Sequence, residues 1–428
     1  MYIRSASSRY EREPLLAPFG FKGGYISELW QIISRLKTDQ VSAMGLGLQS
    51  VLWSDAEIFA SYTQDEGNEK MYAITTYALS ALEGNCFQTP WEALGAIKEA
   101  CVDYGKHITG RPNMRTTFTL NGLVSVDNAL WQAYGREKNT EDFLSLVPDE
   151  VRPALSYKHE KLGNIPLITY GLSEREIRKL LDDGAFFLKI KIGCDPDKDG
   201  DREKMLSWDR QRMTQIHAIA SEYTTPYTES GNIAYYLDAN GRYDSKERLY
   251  QFIEHMEKIG AAKETVILEE PFEETNLTDV SDIPMRLATD ESAHGVKDAM
   301  ERIDLGYKAI ALKPIAKTMS ESLWILLAAS KRNIPCFCAD LTVNPLMVEW
   351  NKNVAARIAP LPGIKIGVLE SNGKQNYVHW DRLKTFHPLA DKLFAKEIKG
   401  IYTLNEEFYH TSGGIFRIVD AYESEAQI

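Results

Sequence analysis

The spacing of apolar residues changes character part-way along the chain. Up to about residue 155 the pattern is mixed. Apolar side chains recur at helical spacing in Ile26, Leu29, Ile32, Ile33 and Leu36, again in Ala73, Tyr77, Ala78, Ala81 and Leu82, and again in Trp91, Leu94, Ile97 and Ala100. A period of three to four residues places such groups on one helix face, so helices are expected there. Two glycine-marked stretches, 18–24 and 44–50, interrupt this pattern and read as surface turns. The second contains G-x-G, but no strand–GxGxxG–helix unit follows, which argues against a dinucleotide site.

From residue 166 onward short apolar strands alternate with helices. Strands are expected at 166–170, 187–192, 235–238, 266–269, 286–290, 309–313, 335–338 and 364–369. Helices are expected from Ser173 to Leu181, within 205–221, and at 246–259, 296–305, 321–331 and 346–358. Ser173 with Glu176 forms the signature of a capping box. Eight strands, with a helix expected in each of the seven connections and six of these placed by the pattern, imply a parallel sheet closed into a (β/α)8-type TIM barrel. An open doubly-wound sheet is the alternative. The connection 195–231 is long and charged, and is expected to carry an inserted loop. Residues 156–376 are thus assigned to the barrel, residues 1–155 to a preceding α+β region, and residues 377–428 to helix and loop returning to that region.

Composition narrows the class without naming a chemistry. The 428 residues are 44% hydrophobic and 26% charged, as in an ordinary globular protein. A formal net charge of -12 argues against nucleic acid as a partner. No apolar run reaches membrane-spanning length, and the first residues lack the apolar core of a signal peptide. The five cysteines (86, 101, 194, 336 and 338) read as reduced thiols, which makes a cytoplasmic location the expectation.

The chemistry lies at the strand ends. Lys189 and Lys191 share one face of the second strand, because side chains alternate. Mutual repulsion and burial are expected to lower a lysine's pKa and make one of the pair a usable base. Edge lysines that discourage strand pairing are the bland reading. Downstream strands end in Asp238, Glu269, Asp290 and Lys313. In a barrel these ends converge on one mouth. Three neighbouring carboxylates call for a cation, and an all-oxygen set suits Mg²⁺, with Mn²⁺ as an accepted substitute. Lysines flanking such a centre suit removal of the proton next to a substrate carboxylate, through an enediolate.

The motifs Lys189-Ile190-Lys191, Leu237-Asp238-Ala239-Asn240, Leu268-Glu269-Glu270-Pro271, Thr289-Asp290-Glu291-Ser292 and Ala311-Leu312-Lys313-Pro314-Ile315-Ala316-Lys317 give the chain its likeness. In order and strand placement it resembles the enolase superfamily, specifically the muconate-lactonizing-enzyme-like (mandelate racemase/muconate lactonizing enzyme) subgroup, over essentially its whole length. The resemblance implies an α+β capping domain, built from the N-terminal region and the C-terminal tail, over the barrel mouth. It implies Asp238, Glu269 and Asp290 as metal ligands, Lys191 as base on one face and Lys313 as acid/base on the other. Lys189 would tune Lys191 and touch the substrate carboxylate. Glu291 would pair with Lys313 from behind, with Asn240 and Glu270 supporting the ligands. The stretches 19–24 and 45–53 fall where the family's cap supplies specificity loops, which marks Phe19, Phe21 and Gln49 as substrate contacts. Glu370, at the eighth strand's end, is a further one.

The sequence also departs from the family. The seventh strand has no histidine, which disfavours acid-sugar dehydration. The eighth strand ends in Glu370-Ser371-Asn372 rather than the D-x-D common in dipeptide epimerases. The seventh strand also lacks the Gly-Met-x-Glu pattern of succinylbenzoate synthases and N-acylamino-acid racemases. The expectation is a Mg²⁺-dependent racemase or epimerase of the dipeptide or N-acylamino-acid type, acting on a small carboxylate and assembled as a homo-oligomer. A cycloisomerase, a dehydrating lyase, or a scaffold that binds ligand without turnover are the alternatives.

Overall fold

A computed structural model describes residues 1–21 and 24–423, the side chains of 19–21 excepted. The N-terminal region opens with a three-stranded antiparallel sheet, β1 (Ile3–Phe21), β2 (Gly24–Thr38) and β3 (Ser42–Gln49). The helix expected over 26–36 is therefore the central strand β2. Residues 29–34 of β2 are buried on both faces, so the apolar run shows no strand alternation. The stretch 44–50 is not a surface turn but β3 and its exit.

Two short helices follow, α1 (Val51–Ser54) and α2 (Ala56–Ser61), then three long ones, α3 (Gln64–Leu82), α4 (Pro90–Thr109) and α5 (Thr116–Glu137). The helical spacings at 73–82 and 91–100 fall within α3 and α4. Helix α5 covers the edge of β3 as a fourth strand would. Asn128 Nδ2 donates to Leu46 O at 2.8 Å, and Asn121 Nδ2 donates to Leu48 O at 2.8 Å. The Met44 amide donates to Gln132 Oε1 at 2.8 Å. Side-chain amides thus satisfy an edge that would otherwise lie open.

After α6 (Phe143–Leu146) the barrel begins with β4 (Lys161–Ile165) and β5 (Leu167–Ile168), one stretch broken at Pro166, which has no N–H to give a ladder. Then come α7 (Glu174–Asp182), β6 (Phe187–Lys191), α8 (Arg202–Ala220), β7 (Ala234–Asp238), α9 (Lys246–Ile259), β8 (Thr265–Glu269), β9 (Leu287–Thr289) and α10 (Val296–Asp304). The series ends with β10 (Ala309–Leu312), α11 (Pro314–Lys317), α12 (Met319–Lys331), β11 (Cys336–Cys338), α13 (Pro345–Ala355) and β12 (Gly367–Glu370).

The strands run parallel in chain order, and the broken first strand closes the ring. Val368 of β12 lies opposite Gly163 of β4, while Leu167 of β5 lies opposite Lys189 of β6. Ser173 caps α7 with a complete capping box. Helix α8 takes up most of the charged 195–231 connection.

The expected run of seven helices is corrected to six of the seven connections, because residues 270–286 between β8 and β9 form turns. Pro271, Asn276, Asp279, Ser281 and Pro284 are turn formers in that stretch. The remaining chain makes α14 (Gly373–Asn376), α15 (Trp380–Thr385), a small hairpin of β13 (Glu397–Ile398) and β14 (Ile401–Thr403), α16 (Glu406–Thr411) and α17 (Asp420–Glu423). Strand β14 pairs antiparallel with β4, so the tail joins the barrel sheet directly.

Candidate active site

The sequences FLKIK, AYYLD and TVILE are buried throughout or nearly so, which fixes them as interior parallel strands and sends their last residues to one end of the ring. Register places Lys191 opposite Asp238, and Asp238 opposite Glu269. Asp290 and Lys313 lie one residue beyond β9 and β10, and Glu370 ends β12. The C-terminal strand ends thus gather every strand-end charge that the sequence singled out.

Four lysines meet four carboxylates there. Lys191 Nζ lies 2.6 Å from Asp238 Oδ2 and donates to Asn240 Oδ1 at 2.5 Å. Lys189 Nζ lies 3.0 Å from Asp238 Oδ2, 3.3 Å from Glu269 Oε1 and 3.0 Å from Glu370 Oε2. Lys313 Nζ lies 2.6 Å from Asp290 Oδ2, and Lys317 Nζ lies 3.3 Å from Asp290 Oδ1. Tyr236 O–H donates to Glu269 Oε2, and Trp53 Nε1 donates to Asp290 Oδ2 at 3.3 Å. Lys313 also sits 4.5 Å from the Trp53 ring centre.

Burial works to lower the Lys189 pKa, but Asp238, Glu269 and Glu370 outweigh it and hold it well above 10.5. Lys313 is raised as well: Asp290 overcomes its burial. The expectation that crowding lowers lysine pKa values is therefore corrected for these two, because carboxylates and not ammonium groups dominate their surroundings. Asp238 is held below its ordinary range, Lys189 and Lys191 overcoming burial. Asp290 is lowered to about 2, Lys313 and Lys317 outweighing its burial. Glu269 is pushed well up by burial first, then by Asp238 and Asp290.

The other named residues are placed as follows. Asn240 Nδ2 donates to Glu291 Oε1 at 2.8 Å, which links Lys191 to Glu291 through one amide. Glu291 contributes to raising Lys313. Glu270 Oε2 accepts from the Asp290 amide at 2.7 Å. Glu370 Oε2 accepts from the Asp340 amide at 2.9 Å, and Oε1 from Asn372 Nδ2 at 3.0 Å. Gln49 faces Asn68 O and Tyr72 N of α3 and does not line the central pocket. Phe19 and Phe21 lie at the tip of the β1–β2 hairpin, with side chains outside the described residues; Lys22 and Gly23 lie outside them altogether. Lys317, Tyr236 and Trp53 were not singled out. Tyr236 could have been, since it shares a strand face with Asp238.

A cavity of about 40 Å³ lies over this network. Lys189, Lys191, Asp238, Lys313 and Glu370 line it from the barrel, with Ile26, Ser50 and Trp53 above. Asn240, Glu270 and Thr342 beside the network hold positive φ angles of 43°, 39° and 61°. Non-glycine residues in that region are strained, and such strain collects at functional sites.

Among the described residues no three carboxylates, imidazoles or thiolates converge as a ready-made metal cage, because lysine ammonium groups lie among the acids. The donors still fit a hard divalent cation. Asp238, Glu269 and Asp290 are fully buried oxygen donors on adjacent strands, and Glu269 is crowded by the other two.

No family model and no curated protein sequence matches the chain. Solved structures do. A mandelate racemase/muconate lactonizing protein from Herpetosiphon aurantiacus superposes with a TM-score of 0.64 at 15% identity, over 95% of this chain and 96% of that one. A dipeptide epimerase from Cytophaga hutchinsonii, complexed with Mg and D-Ala-L-Val, gives 0.63 at 15% identity, over 88% and 89%. An N-succinyl Arg/Lys racemase from Bacillus cereus gives 0.62 at 15% identity, over 88% and 89%. With the ring of strands and the separate N-terminal sheet, these likenesses show that the chain has the barrel-and-cap fold of these structures.

Proposed function

We propose that the protein is a Mg²⁺-dependent racemase or epimerase that removes and returns the proton α to a substrate carboxylate. One observation carries the reading. Lys191 on β6 and Lys313 beyond β10 line the same buried pocket. Their strands are second and sixth in a ring of eight, half a turn apart. Two amines on opposite sides of one bound carbon are what inversion needs. Structural neighbours that are named epimerases and racemases support it.

Asp238, Glu269 and Asp290 would hold the metal ion. When bound, it would take up the charge of these carboxylates, orient a substrate carboxylate and offset the charge that builds there on deprotonation. Lys191, deprotonated, would accept the α-proton on one face, and Lys313 as ammonium would return a proton on the other. Asn240 holds Lys191 Nζ in place through its Oδ1, and Lys189 would bring a positive charge to the substrate carboxylate. Ile26 and Trp53 roof the pocket and would exclude water.

The test is incubation with Mg²⁺ in D₂O with pooled dipeptides and N-acylamino acids, read by mass spectrometry and chiral chromatography. Deuterium at the α-carbon with no other mass change is expected. Lys191→Met and Lys313→Met should each cut exchange from one enantiomer by about 10²-fold or more, and from opposite ones. Loss of water from a substrate, or both variants silencing the same enantiomer, would refute the proposal.

A further inference from the structure

Outside the barrel mouth a second cavity, of about 630 Å³, opens between α13, α15 and the β13–β14 hairpin. Its origin is topological. After β12 the chain makes only the four-residue α14, so no full helix covers the seam between the last and first strands. The hairpin covers part of that seam and leaves a space the size of a small-molecule site.

The floor is polar and buried. Glu349 and Lys352, one turn apart on α13, form an ion pair at 2.6 Å, and each is 1% exposed. Lys352 Nζ also donates to Phe394 O at 2.9 Å and lies 3.8 Å from the Tyr402 ring centre. His387 is only 6% exposed. Its Nδ1 accepts from the Leu389 amide at 3.0 Å, which places the ring proton of the neutral imidazole on Nε2. That Nε2–H has no hydrogen-bond acceptor; the nearest carboxylate oxygen, Glu349 Oε1, is 3.4 Å away. A buried donor without an acceptor is costly and asks for one.

The charge at the rim has the sign such an acceptor would want. Of the lining carboxylates, Glu349 meets Lys352 through Oε1 while its Oε2 has no hydrogen-bond partner, Asp381 meets Lys384 at 2.8 Å, and Glu397 accepts from Asn164 Nδ2 at 3.1 Å. Lys374 and Lys396 add two exposed ammonium groups. One wall is the half-buried indole of Trp380, beside Val348 and Pro345.

We propose that this cavity is a second ligand site, which takes a small organic anion with a flat apolar body, of the aryl carboxylate class. The body lies along Trp380, and the anionic group meets His387 Nε2–H and the Lys374 and Lys396 ammonium groups. Helix α13 links it to the mouth, because it starts directly after the 340–342 segment that lines the central pocket.

The test is a ¹⁹F NMR titration of the full chain with 4-(trifluoromethyl)benzoate, and with 4-(trifluoromethyl)benzyl alcohol as the uncharged counterpart. Saturable binding of the benzoate is expected, with the alcohol weaker by about tenfold or more. The double variant K374E/K396E, changed only at exposed positions, should weaken benzoate binding by about tenfold, and Trp380→Ala should weaken both probes. Lys191→Met, which alters the barrel mouth, should leave binding unchanged. Benzoate binding lost in Lys191→Met yet kept in K374E/K396E would place the anion in the mouth and overturn the proposal. Equal affinity for the alcohol, or no saturation by the benzoate at millimolar concentration, would overturn it as well.

Discussion

Gly45 has no room for a side chain. A Cβ there would stand 2.1 Å from Ser125 O and 2.3 Å from the Ala129 amide nitrogen, both backbone atoms of α5. The contact is close because Asn121, Asn128 and Gln132 hydrogen-bond to the edge of β3 only if the helix lies directly on it. Gly45→Ala should therefore destabilise the protein by about 2–3 kcal/mol, read as a fall in the urea midpoint at unchanged slope. An unchanged midpoint would mean that α5 shifts without loss. The residues in the mouth were legible for a related reason: two-residue alternation fixes which side chains share a face, so Lys189, Lys191, Asp238 and Glu269 could be placed from sequence. Lys317 and Trp53 reach the same charges from a helix and from the cap, which no local period encodes. The carboxylates that raise Lys189 come from three different strands, so its pKa could not be read from the pair Lys189–Lys191 alone.

At the scale of elements, one carboxylate joins cap to barrel. Asp127 on α5 is fully buried and accepts from the Ser320 amide at 3.0 Å and from Ser320 Oγ at 2.6 Å, which caps α12 from another element. Trp131 Nε1 reinforces it by donating to Ser320 Oγ at 3.0 Å. Burial pushes the Asp127 pKa from 3.8 up to about 7, with Glu321 adding to the rise and the Ser320 and Met319 groups opposing it. Between those values the folded state keeps a proton that the unfolded chain has released, so stability falls as pH rises from about 4 through about 7 and is flat above. Asp127→Asn should remove that part of the slope, on the order of 1–3 kcal/mol across the window, seen in urea midpoints from pH 4.5 to 8. Parallel profiles for the two proteins would contradict it. Element reading succeeded where one face is wet, as in α3, α4 and α7. It failed at β2, whose centre is buried on both faces, and at 270–286, where turn chemistry replaces a helix.

At the scale of the molecule, three stretches of chain that are distant in sequence share one core. Trp131 and Phe143 from the N-terminal region, Leu326 and Met347 from the barrel, and Phe408, Phe416 and Tyr422 from the tail belong to the same buried cluster. The tail is fastened to the barrel by pairing of Ile401 with Gly163, and to the cap by Arg417 Nη2 against Glu141 Oε2 at 2.9 Å. Alternation of strand and helix shows the barrel in the sequence, but no pattern shows a tail strand adding to its first strand, because pairing partners far apart leave no local trace. The barrel and the cap each keep a further apolar cluster of their own, and the shared cluster is what couples them. The protein should therefore unfold in a single cooperative transition. Tryptophan fluorescence, which samples cap residues Trp30, Trp53 and Trp131 together with Trp324 and Trp350 of the barrel, should change with far-UV circular dichroism along one curve in urea. Gly45→Ala, a change confined to the cap, should shift both signals together. Two separated transitions, with only the fluorescence moved by that substitution, would mean that cap and barrel are independently stable units.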